Sequence, residues 1–462
     1  MNRQWYYACA GIVLLSLLFR QPLLLVVGLL SLLVLLTADI WARYCLNNLR
    51  FQRELSEKRV LFGEEISMAI AIENSKLLPL PWLEVEDVVP RSLDIQGRQL
   101  RISSSTNKAV LENLFSPRWY ERVTRRYTIT CGARGVHTFG PTQMRSGDLF
   151  GFTDRQETLE NKQYLIVYPL VVPLSSFSLP ARYPFGDRRA PRRLLEDPSR
   201  VVGVRDYAYG DDLRRVHWKA TARAMELQSK VYEATTTYTL VMFLNVATQL
   251  DAYFGIHPEL QELSICAAAS VADWALNEGY SVGLYANSIM YMPELGMLLP
   301  DKQGQQGNGH RQEGSPESTL EMTLADQMKR RRIQIAPASN EEQRKRIMEV
   351  LARIQAHFGT SIEELIASER THLPAGATVV IITSTISDPL LDALARLKQA
   401  GHAVTILMVG DQPVASRLAG ITVYHLGGEN AWKELISCYN APEVLHASEQ
   451  YTQEKQTAGF RL

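Results

Sequence analysis

No two of the five cysteines (Cys9, Cys45, Cys131, Cys266, Cys438) have C-x-x-C spacing. This excludes a zinc knuckle of familiar form and argues against a disulfide framework, so a reducing compartment fits best. Charge imbalance is also missing. The 49 Lys and Arg residues face 49 Asp and Glu, so no global field draws the chain to nucleic acid or to acidic substrates, and any charge preference is local. The sequence has no G-x-x-x-x-G-K-[ST] and no H-E-x-x-H string. Phosphate-loop NTPases and H-E-x-x-H metalloproteases are thereby removed in their usual forms.

Long apolar runs are confined to the N-terminus. Trp5 to Phe19 is almost wholly apolar, Arg20-Gln21-Pro22 interrupts it, and Leu23 to Ala38 holds no charge. The pattern predicts a transmembrane helical hairpin within residues 1–45. A helix rises ~1.5 Å per residue, so about 20 residues cross a core of roughly 30 Å, and the first run reaches that only by borrowing its flanks. Pro22 suits the first turn of the second helix, where no donated hydrogen bond is needed. Arg43, Arg50, Arg53, Lys58 and Arg59 follow the second run, against Arg20 alone in the turn. The bulk of the chain is therefore expected on the cytoplasmic side, with Trp5, Tyr6, Tyr7, Trp41 and Tyr44 as an interfacial belt. A cleaved signal peptide is the plainer alternative, but the apolar stretch is too long in total and lacks a small-x-small cleavage site.

A chain of 462 residues exceeds one core's usual reach, so two soluble domains are expected after the membrane segment. Residues 55–165 read as a β-sandwich-like module. Glu65 to Glu73 alternates with period two, Trp82 to Val88 and Arg125 to Thr130 read as further strands, and Arg134 to Pro141 reads as turn, strand, turn. His137 falls in that strand and is a structural residue on pattern.

Residues 166–230 form a proline-spaced connector that ends in the most distinctive stretch of the chain, Gly203 to Arg223. Gly210 permits a turn, Asp211 or Asp212 can cap a helix starting near Leu213, and Leu213, Val216 and Ala220 fall on one face of it. Arg214, Arg215, Lys219 and Arg223 crowd the other side. They can clamp a carboxylate or phosphate, or pair with Asp206, Asp211 and Asp212 to lock the segment in place; the nearby carboxylates favour the structural role.

This stretch resembles the signature of the bacterial family called domain of unknown function 58, R-x-Y-x-x-G-D-x-x-R-x-x-x-W-x-x-x-A-R, through Arg205, Tyr207, Gly210, Asp211, Arg214, Trp218, Ala222 and Arg223. The likeness extends to the membrane hairpin, to Gly147-Asp148-Leu149-Phe150-Gly151-Phe152 and to Val167-Tyr168-Pro169. It implies a von Willebrand factor type A-like domain and, as partner, a MoxR-type AAA+ ATPase.

Residues 231–446 read as an α/β module with a mainly parallel sheet. Thr237 to Leu244 is a buried strand, Pro258 to Glu278 a helix, and Ser281 to Ala286 a strand. Helices recur at Asn340 to Phe358 and Pro389 to Gln399, and strands at Ala377 to Thr383, Ala403 to Val409 and Ile421 to Leu426. Residues 301–319 read as a flexible insertion and 447–462 as a tail. Lys329-Arg330-Arg331-Arg332 and the arginines at 188, 189, 192 and 193 are read as a solvated basic surface rather than a lipid or nucleic-acid site. A type A domain holds its metal on Asp-x-Ser-x-Ser after its first strand. The equivalent loop here runs Asn245-Val246-Ala247-Thr248-Gln249, so Asn245, Ala247 and Gln249 replace the aspartate and both serines. The expectation is no metal, although Asp251 and Asp388 could partly compensate.

The leading expectation is a non-enzymatic, membrane-anchored assembly protein that contacts the lipid bilayer and a MoxR-type ATPase and takes no cofactor and no nucleic acid. The rivals are a membrane-bound hydrolase using His217 with the nearby carboxylates and a metal-dependent adhesion domain.

Overall fold

A computed structural model describes residues 3–19, 21–97, 100–102, 108–148, 154–180, 185, 195–209, 211–235, 238–249, 256–295, 332–355, 360–411, 417–418 and 420–439. The chain divides into two units, Met1–Pro169 with Tyr291–Gln305, and Leu170–Met290 with Gln306–Leu462.

The first unit opens with helices α1 (Arg3–Phe19) and α2 (Pro22–Tyr44). Gln21 is extended and Pro22 takes the first helical position of α2. At ~1.5 Å per residue, only the 23-residue α2 has the length for a bilayer core. Its segment Pro22–Trp41 is the one described helix long and apolar enough to cross a membrane, by length and composition. The two helices pack closely where Gly28 lacks a side chain: a Cβ there would come within 2.8 Å of Val13 Cγ2. Leu14, Leu18, Leu23 and Val26 stand exposed, which water does not favour.

The strands that follow are β1 (Leu49–Leu55), β2 (Arg59–Val60), β3 (Glu65–Asn74), β4 (Leu83–Pro90), β5 (Asp94–Ile95) and β6 (Arg101–Ile102). They continue with β7 (Lys108–Phe115), β8 (Arg122–Thr130), β9 (Gly135–Phe139), β10 (Thr142–Gly147), β11 (Asp154–Leu159) and β12 (Gln163–Val167). They form three sheets, ordered β1-β3-β8-β5, β11-β10-β4-β7-β6 and β2-β12-β9. Inward residues of all three, among them Met68, Ile70, Val85, Leu111, Phe139 and Leu165, meet in one cluster. The alternation in β3 and β4 produces this, because one face of each strand is apolar. Inside the unit, Arg53 and Asp87 form a fully buried pair, Nε to Oδ2 at 2.8 Å, and Thr142 Oγ1 donates to Asp87 Oδ1 at 2.7 Å.

The end of α2 is tied to this unit. Lys76 Nζ donates to the carbonyls of Tyr44 (2.8 Å), Cys45 and Asn47 (2.6 Å), at and just beyond the end of the helix. Burial draws the Lys76 ammonium down to about 8.

The second unit contains a hairpin of β13 (Leu195–Asp206) and β14 (Gln228–Thr235), with α3 (Trp218–Ala224) between them. The expected connector over residues 166–230 is thus folded into paired strands over much of its length. Next come β15 (Thr239–Leu244), α4 (Pro258–Asn277), β16 (Ser281–Ala286), β17 (Ile333–Ala338), α5 (Glu341–Arg353) and α6 (Ile362–Glu369). The unit closes with β18 (Thr378–Thr383), α7 (Asp388–Gln399), β19 (Ala403–Met408), β20 (Arg417–Leu418), β21 (Ile421–His425) and α8 (Glu429–Tyr439).

The sheet order is β17-β16-β15-β18-β19-β21-β20. Pairings from β16 to β21 are parallel, and β17 and β20 join antiparallel at the edges. Leaving out short β20, this is the doubly wound 3-2-1-4-5-6 order, whose direction reverses between β15 and β18. The near-continuous apolar strand β15 is buried along almost its whole length, as a strand covered on both faces must be. Expected helix 340–358 ends at Arg353, because Ile354 turns extended and bridges to Met290. The arginines at 188, 189, 192 and 193, the run 329–331, the insertion at 301–319, Asp251 and the tail at 447–462 lie outside the described residues.

All five cysteines are free, and only Cys438 is exposed. Burial pushes the Cys131 and Cys266 thiols up to about 12, which leaves them unreactive.

Candidate functional site: the signature hairpin and the sheet edge

Strands β13 and β14 pair from Leu195 with Thr235 to Asp206 with Gln228. Tyr207 N–H donates to Leu227 O at 2.8 Å and closes the ladder. The chain then turns on Asp211, whose carboxylate accepts from Arg205 Nη2 at 2.7 Å and from Ala208 N–H at 3.1 Å, while Tyr207 Oη donates to Asp211 O at 2.9 Å. The Arg205 bond and the backbone donor hold the Asp211 carboxyl below the usual carboxylate range. Arg205, Tyr207 and Asp211 of the signature are therefore one turn-locking unit; Gly210 lies outside the described residues.

The single helix expected from Leu213 does not form. Asp212 Oδ1 accepts from Arg214 N–H at 3.0 Å and caps only a 3-10 turn, Leu213–Arg215. Val216 is extended, buried and bridged to Ser229, so the chain must restart its helix. It does so after His217, whose Nδ1 accepts from Ala220 N–H at 3.1 Å as the cap of α3. The predicted apolar face is broken, and Leu213 is 66% exposed.

An uncovered face results. Tyr209, Leu213, Trp218 and Met225 are largely exposed, and Val204 and Leu227 partly so. Among the described residues, Arg214, Lys219 and Arg223 have no carboxylate partner, in contrast to Arg205. A cleft of about 510 Å³ opens between α3 and the strands, lined by Val204, His217, Lys219, Ala220, Arg223, Ala224 and Gln228. Asp211 is not in its lining, and His217 Nδ1 is occupied by a backbone donor, so the structure shows no carboxylate orienting that imidazole.

The other location is the carboxyl end of the parallel sheet, where doubly wound folds bind ligands. Asn245 lies at the switch point and is 4% exposed. Its Oδ1 accepts from Ala247 N–H (3.1 Å) and Asn287 Nδ2 (2.8 Å), and its Nδ2 donates to Thr383 Oγ1 (3.0 Å). Asn287 Oδ1 in turn accepts from Val246 N–H at 2.8 Å, and Ser384 Oγ donates to Ala247 O at 3.4 Å. The donors are neutral and engaged with one another. Gln249 follows as a half-buried loop residue with no charge to offer. Asn287, at the end of β16, completes this network. Sequence spacing gave no hint of it, since 42 residues separate it from Asn245. Among the described residues, no group of three or more His, Cys, Asp or Glu is placed to hold a metal.

Two further side chains invite a catalytic reading. His137 is buried, its Nε2–H donates to Ala133 O (2.8 Å), its Nδ1 lies 3.1 Å from Ser92 Oγ, and burial lowers its pKa, as befits a structural residue. Gly279-Tyr280-Ser281-Val282-Gly283 spells G-x-S-x-G. Its serine opens strand β16 after helix α4, whereas a nucleophile elbow needs the serine between a strand and the helix that follows it.

These features define a mixed α/β protein with an apolar N-terminal helix, a β-rich unit and a doubly wound sheet preceded by the signature hairpin. A family model described as "Protein of unknown function DUF58" matches residues 203–311, which begin within the signature hairpin. It is 24% identical over 251 residues to "Uncharacterized protein YeaD" of Bacillus subtilis (strain 168), covering 54% of this chain and 58% of that relative. Among solved structures, proximal thread matrix protein 1 from the mussel byssus is similar at 12% identity and a TM-score of 0.27, over 44% of this chain and 47% of that one. A cohesin module from a Clostridium perfringens family 33 glycoside hydrolase is similar at 12% identity and a TM-score of 0.19, over 26% of this chain and 95% of the module. Likenesses at these TM-scores lend no weight to a function.

Proposed function

We propose that this is a non-enzymatic, membrane-anchored interaction protein that docks a partner in the assembly of envelope proteins or protein complexes. The observation that carries this reading is the exposure of Tyr209, Leu213, Trp218 and Met225 on the signature hairpin, whose Arg214, Lys219 and Arg223 have no carboxylate partner among the described residues. Aromatic and arginine side chains grouped on an exposed face mark binding sites for other proteins. In this reading α1 and α2 form a transmembrane hairpin with both soluble units on the cytoplasmic side, consistent with the basic residues that follow α2. The β-rich unit is a sandwich-like spacer, and the α/β unit is a von Willebrand type A-like module that has lost its metal. Support for that loss is the neutral Asn245, Asn287 and Thr383 network, in which no described residue is anionic. The choice of a MoxR-type AAA+ ATPase as partner rests on the family resemblance of the signature alone.

Pull-down of the detergent-solubilised full chain, with and without Arg214→Ala, tests this. A specific ATPase recovered with the wild type and lost with the variant is the expected result. An unchanged partner list would count against a role for the motif.

A further inference from the structure

The cleft on the signature hairpin is open, and its lining carries the basic groups Lys219 and Arg223 with His217 and no carboxylate. His217 Nδ1 accepts from Ala220 N–H, so the neutral ring carries its proton on Nε2 and keeps one donor to offer. Lys219 and Arg223 stand one turn apart on α3, where like charges repel, and neither has a carboxylate partner among the described residues. Ala220 and Ala224 also line the cleft and leave room between the longer side chains. Arg205, by contrast, is already satisfied by Asp211, so the basic groups without a carboxylate partner among the described residues include those on and beside α3.

We propose that this cleft receives an acidic segment of a protein partner. Asp or Glu carboxylates pair with Lys219 and with the forked donors of Arg223 and accept from His217 Nε2–H. Neighbouring apolar side chains of the segment cover Trp218 and Met225. The inference rests on the interaction-protein reading above and adds the partner's chemistry to it. The lining holds basic groups and no carboxylate, so the charge it complements is negative, and the exposed Trp218 and Met225 nearby in the chain suit the mixed acidic and apolar side chains of a peptide segment.

The test uses the full chain in phosphatidylcholine nanodiscs and a fluorescein-labelled decapeptide of alternating Glu and Leu, read by anisotropy. The peptide is expected to bind the wild type, to weaken as salt rises, and to lose about tenfold or more in affinity to the Lys219→Glu, Arg223→Glu double variant. The charge-neutral pair Lys219→Gln, Arg223→Gln is expected to weaken binding less, which separates lost charge from misfolding. Absence of binding to the wild type, or equal binding to all three proteins, would overturn the proposal. So would quenching of Trp218 emission by brominated phosphatidylglycerol, taken as the difference from Trp218→Phe, since the face would then sit on the anionic leaflet. If Arg214→Ala loses the ATPase in the pull-down while the charge-reversed pair retains it, the docking reading stands and this cleft is not its site.

Discussion

At the scale of single residues, Asn245 decides which chemistry the sheet edge can do. One amide in place of a carboxylate gives Oδ1 two backbone or side-chain donors and Nδ2 one acceptor, so the site is neutral and internally satisfied. A ligand that binds only the folded state stabilises it in proportion to RT ln(1 + [L]/Kd). Millimolar Mg²⁺ is therefore expected to leave the melting temperature of the wild type unchanged, and calorimetry with and without the ion checks this. Asn245 at the end of the first strand of the sheet was legible in the sequence; its network was not, because Asn287 meets Asn245 only once two parallel strands lie side by side. A second residue-scale prediction concerns Arg53, whose guanidinium is fully buried against Asp87. Arg53→Met leaves a buried carboxylate without its counter-charge and is expected to cost about 3–5 kcal/mol in the unfolding of the β-rich unit. Chemical denaturation measures it, and a loss below about 1 kcal/mol would contradict the pairing.

At the scale of elements, legibility followed burial. The strands β3, β4, β15 and β18 were readable because one or both of their faces are apolar, and alternation or a continuous apolar run records that directly. The hairpin of β13 and β14 left no such record: Val201, Val204 and Val231 are exposed and the pairing carries two register shifts. The helix expected from Leu213 failed for a related reason, since the tertiary bridge of Val216 to Ser229 overrides local periodicity. The short edge strand β17, with Pro337 within it, gave too little pattern to be seen. The junction of α2 with the β-rich unit yields a prediction at this scale. Lys76 serves three carbonyls at the end of the helix, and hydrogen bonds to charged groups contribute about 1.5–3 kcal/mol each. Lys76→Met is expected to speed amide exchange in the segment 45–49 by about tenfold or more. Unchanged protection there would show that the clamp is not what fixes the junction.

At the scale of the whole molecule, the proposed function has α2 hold the protein at a membrane and the signature hairpin meet the partner. Its 49 basic and 49 acidic residues cancel, so attraction to a partner depends on where charge is left unpaired and not on net charge. Arg214, Lys219 and Arg223 are such places. The proposed cytoplasmic orientation predicts that protease added to right-side-out vesicles leaves both soluble units intact, while inverted vesicles expose them to cleavage; the opposite pattern would reverse the topology. The signature itself was visible in the sequence as a string of residue types. Its division of labour, with Arg205, Tyr207 and Asp211 fastening the turn and Trp218, Lys219 and Arg223 facing outward, required the geometry.

The most direct measurement is site-specific photo-crosslinking from position 218 of the full chain in its native membrane, with a benzophenone amino acid in place of Trp218. A discrete adduct with a MoxR-type ATPase, lost when Arg214 is also changed to Ala, is the result predicted. Adducts with lipid alone, or none from a chain that remains folded, would contradict it.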